Sequence, residues 1–328
     1  MLNHEVERKV MAILKVLSTA QEPLGARMIS RQLESFGVNL TERAVRYHLQ
    51  LLDERGLTIN NGKEGRLITE KGIEEISNAL VTDKVGLVIN KIDTLSYRTT
   101  FDLNTRKGKI ILNTSLFAAH NFRKAVEAMH DVFAAQHCVS DLVAVAEEGQ
   151  MLGDILIPKG YVGFGTICSV TINGIFLRSG IPVESKFGGI LQVKESKPRR
   201  FTDLISYAGS SLDPLEVFIR SKMTSVRSAA KDGEGKILAS FREVPAICLP
   251  AVETVLAKIN RVGLRGLVTL GHPGRELLEV AVGINRVGMV IIGGLNPLAA
   301  AEEAGIPSEN RAMSTMFDFD ALRSYGDL

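Results

Sequence analysis

Thr41-Glu42-Arg43-Ala44-Val45-Arg46-Tyr47-His48-Leu49-Gln50-Leu51-Leu52-Asp53-Glu54-Arg55 reads as one short amphipathic helix. Thr41 follows the turn-like Gly37-Val38-Asn39 and can accept a bond from the first free amides. Val45, Leu49 and Leu52 recur at i, i+4 and i+7, which gives one apolar stripe for a core. Gly56 stands just past the end, where a left-handed residue commonly closes a helix. The other face carries Arg43, Arg46, Tyr47 and Gln50. Guanidinium, phenol and amide groups on one short helix can reach phosphates and base edges in a major groove.

The flanking sequence gives this helix its context. Val6 to Ala20 repeats Val10, Ile13, Leu14 and Leu17 on one face, so it reads as an amphipathic helix, broken by Pro23 and Gly25. Ala26 to Phe36 reads as a second helix, with Ile29 and Leu33 inward. Gly37 to Leu40 is a turn, so the order is helix-turn-helix. Leu57-Thr58-Ile59 and Arg66-Leu67-Ile68-Thr69 flank Asn60-Asn61-Gly62-Lys63-Glu64-Gly65, the pattern of a hairpin with Lys63 at its tip. A further helix is expected from Thr69 through Leu80. Residues 1–82 are therefore expected to form a winged helix-turn-helix that contacts double-stranded DNA through Arg43, Arg46, Tyr47, Gln50, Lys63 and Arg66. Acidic and basic residues balance in this stretch, so binding must rest on local clustering. One such module makes few phosphate contacts, and a dimer reading two half-sites is the usual remedy. Winged helices also serve as protein-interaction modules, and an adaptor remains an alternative.

Composition narrows the classes. The 328 residues are 45% hydrophobic and 23% charged, enough apolar surface for two or three globular domains. A formal net charge of +2 announces no global field for nucleic acid or membrane. Cys138, Cys168 and Cys248 are odd in number and far apart, which argues against a disulfide framework and fits a reducing cytoplasm. The first residues lack an apolar secretion segment, and no apolar run is long enough to span a bilayer. A cytoplasmic protein without membrane contact is the expectation.

Residues 83–328 are expected to form a larger α+β regulatory domain with an internal duplication, its half-repeats roughly 84–198 and 213–310. Gly108-Lys109-Ile110-Ile111-Leu112 matches Gly235-Lys236-Ile237-Leu238-Ala239. Each is followed by a helical pattern, Phe122 to Gln136 or Ala251 to Arg261, and then by an apolar strand, Leu142–Ala146 or Gly266–Leu270. Val170-Thr171-Ile172-Asn173-Gly174 parallels Val282-Gly283-Ile284-Asn285-Arg286, and Ile175–Pro182 parallels Gly288–Pro297. The unit expected is strand, helix, strand, strand-turn-strand, with residues 157–168 as an insertion unique to the first half.

Chemistry-bearing constellations are thin. Gly160-Tyr161-Val162-Gly163-Phe164-Gly165 permits close backbone approach to a ligand but is no dinucleotide fingerprint, and glycines serving bulges explain it as well. His130 and His137, spaced i, i+7 beside Cys138, lack further ligands nearby, so no metal site is expected. No nucleophile-base-orienter pattern exists, so no catalytic residue is assigned and the protein is not expected to be an enzyme. An enzyme fused to a winged helix, using Cys168 or His272, is the remaining rival.

Three stretches carry a resemblance: Gly165-Thr166-Ile167-Cys168-Ser169-Val170-Thr171-Ile172-Asn173-Gly174, Tyr207-Ala208-Gly209-Ser210-Ser211-Leu212-Asp213-Pro214-Leu215-Glu216, and Arg286-Val287-Gly288-Met289-Val290-Ile291-Ile292-Gly293-Gly294-Leu295-Asn296-Pro297. With the winged helix ahead of them, the chain resembles the NrpR family of repressors of nitrogen-assimilation genes. The resemblance implies a homodimer that binds inverted-repeat operators and lets go when 2-oxoglutarate accumulates. It also admits pairing with a second NrpR-like subunit. It implies no cofactor beyond that effector. A dicarboxylate needs cationic or amide donors, and the family-like stretches offer Thr166, Cys168, Ser169, Asn173, Arg178 and Ser179, with Arg178 as the carboxylate clamp. Arg227 and Arg286 are second choices, and a surface ion pair is an equal reading of Arg178.

Overall fold

The computed structural model describes residues 2–20, 22–34, 37–77 and 86–328. The chain divides into two compact units, Met1–Val85 and Gly86–Leu328. The expected boundary at 82/83, the start of the first half-repeat at 84, and the ends of the expected helices at Phe36 and Leu80 lie outside the described residues.

In the first unit, α1 (Leu2–Ser18), α2 (Ala26–Glu34) and α3 (Glu42–Glu54) precede the strands β1 (Thr58–Asn60) and β2 (Arg66–Ile68), and α4 (Glu70–Ser77) follows. Ile13, Leu14, Leu17, Ile29, Leu33, Val45, Leu49 and Leu52 share one dry core, so the apolar stripe of each helix is what the unit folds around. β1 and β2 pair antiparallel. Leu24 adds a third rung, exchanging both backbone bonds with Arg66 at 3.0 Å. Gly65 makes this approach feasible, since a Cβ there would lie 2.3 Å from the Leu24 carbonyl carbon. The unit is a winged helix.

The second unit begins with α5 (Leu87–Arg98). Its first half then runs β3 (Lys109–Ala118), α6 (Ala119–Ala134), β4 (Leu142–Ala146), a small hairpin of β5 (Met151–Leu152) and β6 (Ile155–Leu156), β7 (Tyr161–Ile167), α7 (Val170–Arg178), β8 (Glu184–Lys194) and β9 (Lys197–Ser206). After α8 (Pro214–Arg220) and α9 (Val226–Asp232), the second half runs β10 (Gly235–Pro245), α10 (Leu249–Arg261), β11 (Leu267–Leu270), β12 (Arg286–Ile292), α11 (Asn296–Glu303), β13 (Glu309–Asp318) and β14 (Arg323–Ser324). Two antiparallel sheets result, ordered β13-β3-β7-β4-β14 and β11-β12-β10-β8-β9. The halves exchange strands. β8 leaves the first half's sheet to pair with β10, and β13 leaves the second half's sheet to pair with β3.

Local details repeat with the topology. Thr171 Oγ1 accepts from the Ile111 amide at 3.1 Å and donates to its carbonyl at 3.3 Å. Asn296 does the same to Leu238, at 2.8 and 3.1 Å. Gly180-Ile181-Pro182 and Gly305-Ile306-Pro307 leave their helices through glycines with φ 76° in both cases. Leu152 pairs with Ile155, as Leu277 pairs with Val280.

These pairings correct part of the sequence reading. Val170–Gly174 and Ile175–Pro182 are not strand-turn-strand; they are α7 and its exit turn. All residues from Val170 to Phe176 are buried. A helix buried on every side shows no polar face, and a short one cannot be told from a strand by periodicity. The counterpart of α7 is α11, and the repeat order is strand, helix, strand, strand, helix, strand. Residues 157–168 are no insertion either. The connections 147–160 and 271–285 differ by a single residue and carry equivalent hairpins.

Candidate functional site

The exposed face of α3 is the first candidate. Thr41 caps the helix, its Oγ1 accepting from the Ala44 amide at 3.2 Å. Val45, His48, Leu49 and Leu52 are buried, while Arg43, Arg46, Tyr47 and Gln50 face outward. Tyr47 is 61% exposed. Burial lowers the His48 imidazole, so it packs as a neutral ring. Arg46 pairs with Glu42 one turn earlier, and Gln50 donates to Glu54 at 3.4 Å. Both are surface interactions that a phosphate can displace at small cost. Lys63 is exposed in the wing turn, where Asn60 Oδ1 accepts from the Gly62 amide at 2.9 Å. Arg66 differs from the other five residues read as DNA contacts. Its Nε donates to Asp53 Oδ2 at 2.8 Å, and its side chain is only 19% exposed. It braces the wing against the end of α3. Arg27 and Arg31 are exposed on α2, a pair of cations that the reading of α3 alone leaves out.

The residues read as effector ligands separate into two groups. Thr166, Cys168, Ser169 and Asn173 are buried around the N-terminus of α7. Thr166 donates to the Gly294 carbonyl at 2.8 Å, tying this end of α7 to the start of α11. Asn173 donates to Ser185 Oγ at 3.0 Å. Burial pushes the Cys168 thiol up to about 11, so it is a neutral packing group at neutral pH and no ready nucleophile. Arg178 and Ser179 lie at the other end of the same helix, about 13 Å away by helical rise. There Arg178 is exposed, close to Asp102, and both residues line a cavity of about 210 Å³ with Phe101 and Lys258. Arg178 therefore cannot clamp a ligand held at Thr166 and Ser169. Of the second choices, Arg227 is exposed on α9, and Arg286 is engaged by Glu184 and Glu243.

The cation that does reach the first group is Arg242, on β10. It is 1% exposed. Its Nη1 donates to the Ser169 carbonyl at 3.0 Å and to Asn173 Oδ1, and its Nη2 donates to Ser169 Oγ at 2.9 Å. Its Nε has no partner among the described residues. Burial pulls the guanidinium down to about 10, which still leaves it charged at neutral pH. Nothing in Phe241-Arg242-Glu243 separates an inward arginine from an outward one, because β10 is buried on both faces. Tyr207 and Asp213 wall the small space beside Cys168 and Ser169. Asp213 caps α8 through the Leu215 and Glu216 amides, at 2.9 and 3.3 Å. Burial and the nearby Glu216 push its carboxyl up to about 6.

A larger cavity, about 790 Å³, opens between α8, α11 and β13. Arg220, Lys222 and Arg311 line it with Glu216, Glu302 and Glu303. The three carboxylates serve the fold. Glu303 accepts from Thr224 and from the Val226 and Arg227 amides, Glu302 accepts from Ser308, and Glu216 accepts from the Ala312 amide. Among the described residues no cluster of histidine, cysteine and carboxylate is arranged for a metal, and no helix is long and apolar enough to cross a membrane.

Comparison with known proteins places this architecture. The model of NrpR regulatory domains NRD1 and 2 matches residues 85–324, and a winged-helix model from ribonuclease R matches residues 11–76. The Global nitrogen regulator NrpRI of Methanosarcina mazei is 39% identical over 98% of this chain and 99% of its own length. The Global nitrogen regulator NrpR of Methanococcus maripaludis is 32% identical over 94% of this chain, which spans 54% of that relative. A crystal structure of a nitrogen repressor-like protein from Methanococcus jannaschii superposes with a TM-score of 0.62 at 33% identity, over 74% of this chain and 98% of that one. A winged helix followed by this strand-exchanged pair of sheets, matched along nearly its whole length, belongs to the NrpR family.

Proposed function

We propose that the protein is a DNA-binding transcriptional repressor of nitrogen-assimilation genes, acting as a homodimer on inverted-repeat operators and released by 2-oxoglutarate. The observation that carries this reading is the outward face of α3. A capped, well-packed helix in an NrpR-family chain presents Arg43, Arg46, Tyr47 and Gln50 to solvent, with Lys63 on the wing beside it in sequence. That is the donor set for phosphate positioning and base-edge readout. Arg66 is dropped from the set because Asp53 holds it.

The regulatory unit supports the sensing half of the reading through its buried polar cluster at Thr166, Cys168, Ser169 and Asn173. An effector that prefers one dimer geometry changes the separation of the two recognition helices, and a few kcal/mol of differential affinity suffices. The protein performs no chemistry on the effector in this reading.

The test is selection of duplexes from a random pool by the purified full chain, followed by gel retention with and without millimolar 2-oxoglutarate. An inverted repeat, bound as a dimer and released by 2-oxoglutarate, is expected. Retention unchanged by 2-oxoglutarate removes that effector, and recovery of no preferred sequence removes operator binding.

A further inference from the structure

Arg242 is a buried cation without a counter-ion. Its acceptors are two serine oxygens and an amide oxygen, all neutral, and no carboxylate of the described residues pairs with it. Neutral acceptors offset the desolvation of an interior charge less well than a group of opposite charge does. The surroundings make the cost worse. Arg242 sits at the N-terminus of α7, the positive end of a nine-residue helix. Two positive features converge there, and Nε points at no acceptor.

The duplicated fold supplies an internal control. Ile111-Leu112-Asn113-Thr114-Ser115 on β3 occupies the place that Leu238-Ala239-Ser240-Phe241-Arg242 occupies on β10, as the clasps on Ile111 and Leu238 establish. The counterpart of Arg242 is therefore Ser115, which donates to Asn310 and carries no charge. The same backbone is satisfied by a serine in one half, so the architecture does not demand an arginine in the other.

We propose that Arg242, together with the N-terminal end of α7 and the Ser169 hydroxyl, is the carboxylate-recognising group of the regulatory unit. This rests on the effector reading above and deepens it by moving the cation from Arg178 to β10. A carboxylate cancels the guanidinium charge and the helix end at once, and it gives Nε the acceptor it lacks. The space beside Ser169, Cys168, Tyr207 and Asp213 is about 10 Å³, room for roughly one water, and Arg242 lies behind it, bonded to the Ser169 that lines it. Binding is thus coupled to outward movement of the turn between Tyr207 and Asp213, whose residues Ala208, Gly209, Ser211 and Leu212 are exposed.

The experiment uses the full chain and two variants, Arg242→Met and Asn173→Asp. The second places a carboxylate where the Asn173 amide oxygen already meets Arg242, so it supplies an internal counter-ion; the bond to Ser185 is kept by the serine hydroxyl turning to donate. Binding of 2-oxoglutarate, glutarate and citrate is read by calorimetry, and amide exchange is read across residues 207–213. Wild-type protein is expected to bind at least one of these acids with faster exchange in that turn. Both variants are expected to lose affinity by about 10- to 100-fold, the worth of one or two charged hydrogen bonds. If Arg242→Met fails to fold, Asn173→Asp decides alone. Wild-type binding that either folded variant retains within about twofold overturns the assignment to Arg242 and leaves the effector reading standing. Absence of binding by the wild-type protein to all three acids overturns both.

Discussion

Arg66 and Arg46 separate two uses of the same side chain. Arg46 leans on Glu42 at the surface, while Arg66 is held against Asp53 in the angle between wing and helix. If α3 reads the operator as proposed, replacement of Arg43 or Arg46 by alanine should weaken DNA binding and lower the salt slope by about 1 for each phosphate left without its cation, with little change in melting temperature. Arg66→Ala should instead destabilise the first unit by about 1 kcal/mol, seen in urea titration, because it removes a partly buried ion pair. The Asp213 carboxyl gives a second prediction at this scale. Its pKa rises from an ordinary 3.8 to about 6 in the folded chain, so folding binds a proton in that window. The stabilisation is full below about 3.8 and is lost as pH rises past about 6. Asp213→Asn, which still caps α8, should flatten the fall in melting temperature between pH 4 and 6; an unchanged profile would show that Asp213 is ionised throughout. Neither the ion pair of Arg66 nor the burial of Asp213 can be read from spacing, since both depend on residues brought together by folding.

Helices α7 and α11 are the elements on which the second unit turns. Both are buried along most of their length, and each fastens by one polar side chain to the strand beside it. Asn296→Ala removes an acceptor from the buried Leu238 amide and should cost about 2–3 kcal/mol in chemical denaturation. Gly174 lets α7 lie close to the end of α5, since a Cβ there would come within 2.4 Å of Thr99 Cβ. Gly174→Ala should therefore cost about 1–3 kcal/mol through overpacking, although alanine is the better helix former. α3 is legible in the sequence because half of it faces water and its period shows. α7 reads as a strand because burial on all sides removes the period. Its match with α11 rests on the exit turns Gly180-Ile181-Pro182 and Gly305-Ile306-Pro307, a stronger signal than the Asn173-Gly174 and Asn285-Arg286 pairs.

At the scale of the molecule, the exchanged strands make the halves of the second unit interdependent. β3 pairs with β13 and β10 with β8, so each half alone leaves one side of β3 or β10 unpaired. Fragments 86–210 and 211–328 should be unfolded singly, by circular dichroism and exchange, and should form one folded complex when co-expressed. Independent folding of either half would contradict that expectation. The same exchange brings Arg242 of the second half against Ser169 and Asn173 of the first, so the proposed carboxylate site is built from both halves.

Apolar stripes, turn residues and the repeated Gly-Lys-Ile strand starts determined, without any structure, a winged helix with an outward polar face on α3 and a duplicated α+β unit after it. These are short-range patterns, and a helix half in water or a strand start after a glycine writes them into neighbouring residues. Only the tertiary structure decided that the halves trade β8 and β13, that Arg66 is a brace, and that Arg242 is the cation beside Ser169. Those facts are set by pairings between residues far apart in the chain, and the burial of a charge is a property of what surrounds it.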